Sequence, residues 1–182
     1  MYRLKVALLL MVLLLLSSGL AACSCGGGEK EAATTPSPTP MLVGIYLTPA
    51  TQQAKPGQDV TVQVEVNPGQ RGIAGGRIHL AYDNSVLSVS SISPGFFFGA
   101  TPLVGFKEVD QEAGVLGYAL ARVGKTKAPS PPGIWATVKF HVLGEAKLGN
   151  SSMTIKYIEL GDENAKSIDD IGVADAVIEV IQ

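Results

Sequence analysis

Apolar residues recur at every second position through most of residues 41–182, and this period constrains the fold more than any other feature. The clearest run, residues 59–66, has a valine at each even number from Val60 to Val66. Runs 134–143 and 173–181 repeat the alternation. A β-strand with one inward and one outward face produces a period of two, whereas an amphipathic helix has a period near 3.6. No convincing helical stretch of ten residues is found, so the sequence predicts an all-β domain.

Turn-forming residues such as Pro56-Gly57, Pro68-Gly69 and Asp83-Asn84-Ser85 separate the alternating runs. The predicted strands are 43–48, 59–66, 73–82, 86–92, 103–109, 115–122, 134–143, 152–160 and 173–181. Short strands joined by turns predict a nine-stranded antiparallel β-sandwich with jelly-roll topology.

A glycine-rich stretch opens the third predicted strand, in residues 71–89, RGIAGGRIHLAYDNSVLSV. A phosphate-binding loop is disfavoured, because neither G-x-G-x-x-G nor G-x-x-x-x-G-K-[ST] is present and a strand follows in place of a helix. In this strand Ile78 and Leu80 are expected to face the core, with Arg77 and His79 facing outward. The glycines are expected to permit a bulge or a close approach between backbones.

The N-terminal residues 1–22 have the features of an export signal. Arg3 and Lys5 precede an apolar run over residues 6–16, which is shorter than the roughly 20 residues of a membrane-spanning helix. Leu20-Ala21-Ala22-Cys23 resembles the lipobox of bacterial lipoproteins, so we expect cleavage before Cys23 and lipidation of that cysteine. Cys25 is a second candidate acceptor, and ordinary secretion is the alternative.

Residues 23–40 contain the predicted lipidated Cys23 and a Gly-, Thr- and Pro-rich linker, followed by one domain over residues 41–182. This domain is therefore expected outside the cytoplasm, held to the cell envelope by the lipid. It contains no cysteine, so its stability must come from an apolar core. Loss of Arg3 and Lys5 with the signal would change the net charge from −2 to −4, which argues against a nucleic-acid partner.

Several motifs, in order along the chain, are similar to those of bacterial cohesin modules. The most specific segment is residues 72–95, GIAGGRIHLAYDNSVLSVSSISPG. Within it the matching elements are Gly72-Ile73-Ala74-Gly75, Tyr82-Asp83-Asn84-Ser85-Val86-Leu87 and Ile92-Ser93-Pro94-Gly95. Lys55-Pro56-Gly57 matches before this segment, and Tyr118-Ala119-Leu120-Ala121 and Gly133-Ile134-Trp135-Ala136-Thr137-Val138 match after it. The resemblance covers most of residues 43–181.

Cohesins of cellulosomes are nine-stranded jelly rolls, related to carbohydrate-binding modules, that bind dockerins. Dockerins are small calcium-loaded modules carried by polysaccharide-degrading enzymes. The resemblance therefore implies a non-catalytic docking domain that needs no cofactor of its own, because the calcium would belong to the partner. A lipid-anchored copy would suit a receptor that holds such an enzyme at the cell surface.

The same resemblance implies a partner-binding face on the third and sixth predicted strands. Its candidate residues are Gly75, Arg77, His79, Ala119 and Arg122. Cellulosomal cohesins offer an Asn and an Asp from the third strand and a Glu near the end of the sixth, where this chain has Gly75, Arg77 and Arg122. Arginines replacing carboxylates would repel a partner suited to acids. Either the partner differs from the well-known dockerins or the fold has acquired another use.

Two alternatives to dockerin binding stay open. The first is direct carbohydrate binding through Trp135, which has outward parity in its strand, or through Phe97 in the Phe96-Phe97-Phe98 run. A loop covering Trp135 would instead make this residue structural. The second alternative is a general adhesion or assembly module that binds no dockerin.

Catalytic and metal-binding functions have little support in the sequence. His79 and His141 are solitary histidines on separate predicted strands, more typical of surface residues than of a zinc site. The acids between 162 and 170 do not complete a calcium-binding loop pattern. No Ser-His-Asp arrangement is suggested. We therefore expect neither a metal site nor enzymatic activity.

Overall fold

The computed structural model describes residues 42–124 and 127–182, which form eleven β-strands. Their bounds are β1 Gly44–Thr48, β2 Thr51–Ala54, β3 Asp59–Asn67, β4 Ile73–Ala81, β5 Leu87–Pro94, β6 Leu103–Asp110, β7 Val115–Ala121, β8 Gly133–Val142, β9 Gly149–Asp162, β10 Gly172–Ala174 and β11 Ala176–Val180. Within these residues no helix is long and apolar enough to cross a membrane. The predicted signal peptide, Cys23 and the linker lie outside the described residues.

The strands form two sheets with a shared apolar core. One has five strands in the order β10-β1-β3-β8-β5, and the other has six in the order β2-β11-β9-β4-β7-β6. The predicted all-β sandwich is confirmed. All pairings are antiparallel except β1 with β10 and β2 with β11, which are parallel.

The two parallel pairs arise because both ends of the domain cross between the sheets. β1 and β10 belong to the five-stranded sheet, and the segments that directly follow them, β2 and β11, belong to the six-stranded one. The prediction of one continuous strand over 173–181 is wrong, since it breaks at Asp175. The Asp175 carboxylate accepts a hydrogen bond from the Ile155 N–H at 2.9 Å. At this crossing the Asp175 side chain therefore supplies the acceptor that a neighbouring strand would otherwise offer to the Ile155 N–H.

The inward residues of the alternating runs form the core. Val60, Val62, Val64 and Val66 are each at most 2% exposed, as predicted. Burying a side chain of this kind contributes about 1.5–3 kcal/mol. The largest fully buried side chains are Trp135, Tyr118 and Phe140. The core therefore lies between the sheets, and the outer faces remain for other contacts.

Trp135 is fully buried, so its predicted outward orientation is wrong. The cause is a β-bulge in β8: Ala136 pairs with Val64 and Ile134 pairs with Glu65, which leaves Trp135 as an extra residue between them. The bulge turns the indole into the core, where it packs edge-on against Phe98 with ring centroids 5.7 Å apart. Trp135 consequently has no exposed face on which a sugar ring could stack.

Gly76 in β4 allows the backbone and Trp135 to approach closely, as the sequence predicted for this glycine pair. A Cβ at Gly76 would lie 2.6 Å from the Glu159 carbonyl oxygen and 2.9 Å from Trp135 Cη2. Only a residue without a side chain fits there. The glycine-rich stretch is thus the start of a central strand and not a phosphate-binding loop.

Candidate functional site

The outer face of the six-stranded sheet brings together four of the five predicted partner-binding residues. On β4, Arg77 lies opposite Ala119 of β7 on one side and Glu159 of β9 on the other. Two positions earlier, Gly75 pairs with Ala121. Directly paired residues share a face of the sheet, and all of these positions point away from the core.

His79 continues the same face one row further along β4. It pairs with Gly117 on β7 and with Tyr157 on β9. The Tyr157 ring meets the imidazole edge-on, with centroids 5.5 Å apart. An aromatic group therefore lies beside the two polar residues of β4.

Phe106 completes the cluster from the edge strand β6. Val104 and Phe106 pair with consecutive residues of β7, so Gly105 is the extra residue of a bulge. The Phe106 ring occupies the space where Gly117 lacks a side chain. From this position the ring stacks on His79, with ring centroids 6.0 Å apart and planes 14° apart. The same ring lies beneath the Arg77 guanidinium, whose Cζ is 4.5 Å from the ring centroid.

A hydrogen bond joins the Arg77 and His79 side chains. Arg77 Nε donates to His79 Nε2 at 2.9 Å. Because the arginine side chain can only donate hydrogen bonds, His79 Nε2 is the acceptor in this contact. Arg77 is thus oriented both by the ring below it and by the residue beside it.

Tyr157 and Glu159 form the other flank of the cluster. The Tyr157 hydroxyl donates to Glu159 Oε2 at 3.0 Å. This hydrogen bond and the Glu159 charge raise the pKa of Tyr157, while the nearby charge of Arg77 lowers it. The phenol therefore stays protonated and occupies one oxygen of the Glu159 carboxylate. We call Arg77, His79, Phe106, Tyr157 and Glu159 the β4 cluster.

A shallow depression of about 320 Å³ adjoins the β4 cluster. Arg77 and Glu159 are among its lining residues, and most of the others are small. The small lining residues are Gly75, Gly76, Gly105, Ala119, Ala121, Gly161, Ala165 and Ser167. Such a surface allows the backbone of another molecule to approach the sheet closely.

Arg122 does not share this face, so its predicted position beside Arg77 on the outer side of the sheet is wrong. Its backbone N–H donates to Ala74 O, which continues the β4–β7 register and gives Arg122 the opposite parity to Gly75 and Arg77. Its Nη2 donates to Gly124 O at 3.1 Å. The alternation of side chains along this segment already places Ala119 and Arg122 on opposite faces, because an odd number of positions separates them.

The Phe96-Phe97-Phe98 run forms a turn with one exposed ring. Phe96 is 81% exposed, whereas Phe97 and Phe98 are buried and their rings pack edge-on. Phe97, predicted as a possible glycan contact, is thus mostly covered, and Phe96 is the ring that faces solvent. Beside Phe96 lies a depression of about 390 Å³, lined mainly by prolines and apolar residues.

The candidate metal ligands lie apart. His79 is on the six-stranded sheet, and His141, on the five-stranded sheet, has its Nδ1 2.8 Å from Asp59 Oδ1. In residues 42–124 and 127–182, no three His, Cys, Asp or Glu side chains converge. Asp162 instead stabilises its own turn: backbone N–H groups of Lys166 and Asn164 donate to its carboxylate and lower its pKa.

Three members of the β4 cluster were missed by sequence reasoning. Phe106 is displaced from simple alternation by the bulge at Gly105, and Tyr157 by a similar shift in β9, where Lys156 is unpaired against β4. Glu159 lies in a predicted strand whose register with β4 the sequence does not give. The available signal was one aromatic residue in β9, beside the Arg-x-His strand, and another in β6, one strand further away.

The family model of the cohesin domain matches residues 45–180. No curated protein matches the sequence. Three solved structures are similar in fold at low sequence identity. The third cohesin of ScaC bound to the ScaB dockerin, from Acetivibrio cellulolyticus, is 21% identical with a TM-score of 0.66 and covers 78% of this chain and 100% of its own.

A type I cohesin–dockerin complex of OlpA from Clostridium thermocellum is 16% identical with a TM-score of 0.67, over 78% of this chain and 100% of that one. A non-cellulosomal cohesin from the archaeon Archaeoglobus fulgidus is 18% identical with a TM-score of 0.62, over 78% and 93%. The structural likeness supports the sandwich fold, and the family match extends through nearly all of the described strands. This chain belongs to the cohesin-domain family.

Proposed function

We propose that this protein is a non-catalytic docking module that binds a dockerin-type domain through the outer face of β9, β4, β7 and β6. The observation that carries the proposal is the β4 cluster beside a depression lined by small residues. Membership of the cohesin family supports it, and two of the similar structures are complexes with dockerins.

The composition of the face suits a protein partner. Arginine and aromatic residues are enriched at the energetically important positions of protein interfaces. Arg77, Phe106 and Tyr157 lie there within one contiguous group, with Arg77 and His79 held by mutual contacts. Side chains that are already oriented lose less conformational entropy on binding. Glycine and alanine beside them leave room for a partner helix.

A display experiment tests this function. Natural dockerin modules are displayed on yeast in calcium buffer and sorted against the full-length chain. We expect at least one dockerin to bind, and to lose binding when EDTA removes its calcium. Arg77→Glu should abolish binding, whereas Lys139→Glu, a charge reversal on the outer side of the five-stranded sheet, should not. Absence of any calcium-dependent binder would refute the proposal.

We further propose that the module is exported and held to the cell envelope through a lipid on Cys23, where it would recruit a polysaccharide-degrading enzyme. The support is the sequence alone: a short apolar signal and a lipobox-like stretch. Radiolabelled palmitate should enter the wild-type chain and the Cys25→Ala variant, but not Cys23→Ala. Label retained in Cys23→Ala would show that another residue is the acceptor.

Direct glycan binding is the second candidate, favoured by the exposed Phe96 ring beside a proline-lined depression. Exposed aromatic rings form the flat platforms on which sugar rings stack. Retardation in affinity gels containing cellulose, xylan or chitin, lost in Phe96→Ala, would support it. Trp135→Ala is unsuitable for this test, because Trp135 is part of the core. Binding of neither dockerins nor glycans would favour an adhesion or assembly module.

A further inference from the structure

Arg77 has no carboxylate partner within the described part of the chain. The ion pair found there, His141 with Asp59, is on the other sheet. Glu159, directly across the register from Arg77, accepts a hydrogen bond from Tyr157 and does not approach the guanidinium within 4 Å. The guanidinium at the centre of the face therefore forms no ion pair with its neighbours in the described residues.

The geometry leaves one side of the guanidinium available. The Phe106 ring lies beneath Cζ, and Nε is occupied by His79. For residues 42–124 and 127–182 the structure shows no acceptor on the terminal nitrogens Nη1 and Nη2. Two parallel N–H groups of arginine match the two oxygens of a carboxylate. Covering this group with a partner that offers no acceptor would leave a desolvated, unpaired charge, which is unfavourable.

We infer that the docking partner presents an Asp or Glu carboxylate to the two terminal nitrogens of Arg77; this inference rests on the proposed function. Glu159 and Glu108 also lie on this face, so the partner needs a single acid and not a broadly acidic surface. Glu159 would repel that acid. Neutralising Glu159 should therefore strengthen binding, while neutralising Arg77 weakens it.

A double-mutant cycle on a dockerin recovered by display tests the inference. Each surface Asp and Glu of the dockerin is replaced in turn by Asn or Gln, and affinities for the full-length chain are measured by calorimetry. One replacement should weaken binding at least about tenfold with Arg77 present, and less than about twofold with Arg77→Gln, since close charge pairs across interfaces couple strongly. A replacement that damages the dockerin's own calcium site should weaken binding to the wild-type chain and to Arg77→Gln by the same factor. This distinguishes it from the replacement of an acid that contacts Arg77.

Two further variants sharpen the result. Glu159→Gln should tighten binding at least about twofold, and Lys139→Gln, on the opposite sheet, should leave it unchanged. Thermal unfolding confirms that each variant is folded. If dockerins bind but no acidic residue couples to Arg77, the inference is overturned and the proposed function stands. If no dockerin binds the wild-type chain, the proposed function fails and the inference fails with it.

Discussion

The Arg77 guanidinium lies over the Phe106 ring because the position beneath that ring, Gly117, has no side chain. Cζ of Arg77 is 4.5 Å from the ring centroid, and a Cβ on Gly117 would collide with the ring. The bulge at Gly105 places Phe106 on the outer face in the first place. The missing side chain at Gly117 and the extra residue Gly105 thus determine the position of the Arg77 guanidinium on the face.

Gly117→Val is expected to displace Phe106 and so to remove the support of Arg77. Dockerin affinity should fall about tenfold or more, while the melting temperature changes little, because Phe106 packs on the outer face and not in the core. Gly144→Ala is the control, since its Cβ would meet no atom within 4 Å and Gly144, between β8 and β9, is not one of the residues of this face. Unchanged affinity in Gly117→Val would show that the stacked arrangement does not matter for binding.

Gly76→Ala is expected to destabilise the fold rather than the face. The added methyl group would lie too close to the Glu159 carbonyl oxygen and to Trp135. Neither can move away easily, because the core around them is closely packed. Overpacking of this kind costs about 1–3 kcal/mol in the free energy of unfolding. Urea denaturation should show the loss in Gly76→Ala, and not in Gly144→Ala, whose Cβ would meet open space. Equal stability of the two variants would contradict the close approach.

Regular alternation made much of this fold predictable. In β3, side chains at Val60 to Val66 face the core because nothing interrupts the period of two. For the same reason, Arg77 and His79 were correctly expected on the outer face. The local sequence was sufficient wherever a strand is unbroken.

Bulges limited the prediction, because an extra residue reverses which face the following side chains occupy. Whether a residue such as Trp135 or Gly105 is paired depends on the backbone of the neighbouring strand, which its own sequence does not reveal. Trp135 was therefore expected outside, and Phe106 was overlooked. The crossing of the chain at Asp175 depends likewise on a distant backbone N–H, that of Ile155.

Gln111 closes the open edge of β5, and its removal should destabilise the sandwich. Its side-chain amide forms the pair of hydrogen bonds that a neighbouring strand would form with Val89. Nε2 donates to Val89 O at 2.8 Å, and Oε1 accepts from Val89 N at 3.0 Å. Gln111→Ala leaves these backbone groups to water, at a cost of about 1–2 kcal/mol. Glu112→Ala, at the exposed neighbouring position, is the control. Thermal unfolding that does not distinguish the two variants would refute this role.

Tyr82 should make the fold sensitive to alkali. Its hydroxyl donates to Gln111 Oε1 at 2.7 Å, and burial first, then the charge of Asp110, raises its pKa above the ordinary value of 10. As pH rises, Tyr82 therefore ionises in the unfolded chain, near pH 10, before it ionises in the folded protein. The stabilising contribution is therefore fully present below about pH 10 and is lost as pH rises from there through the higher pKa of the folded state.

Tyr82→Phe separates this titration from the hydrogen bond. At pH 7 the variant should be less stable by about 1 kcal/mol, because the bond to Gln111 is lost. Above pH 10, however, its free energy of unfolding should fall less steeply than that of the wild type, since one shifted group has been removed. Burial also raises the pKa of Tyr118, so part of the slope should remain. Urea denaturation between pH 8 and 11 measures both effects, and identical slopes in the two proteins would rule out Tyr82 as the responsible group.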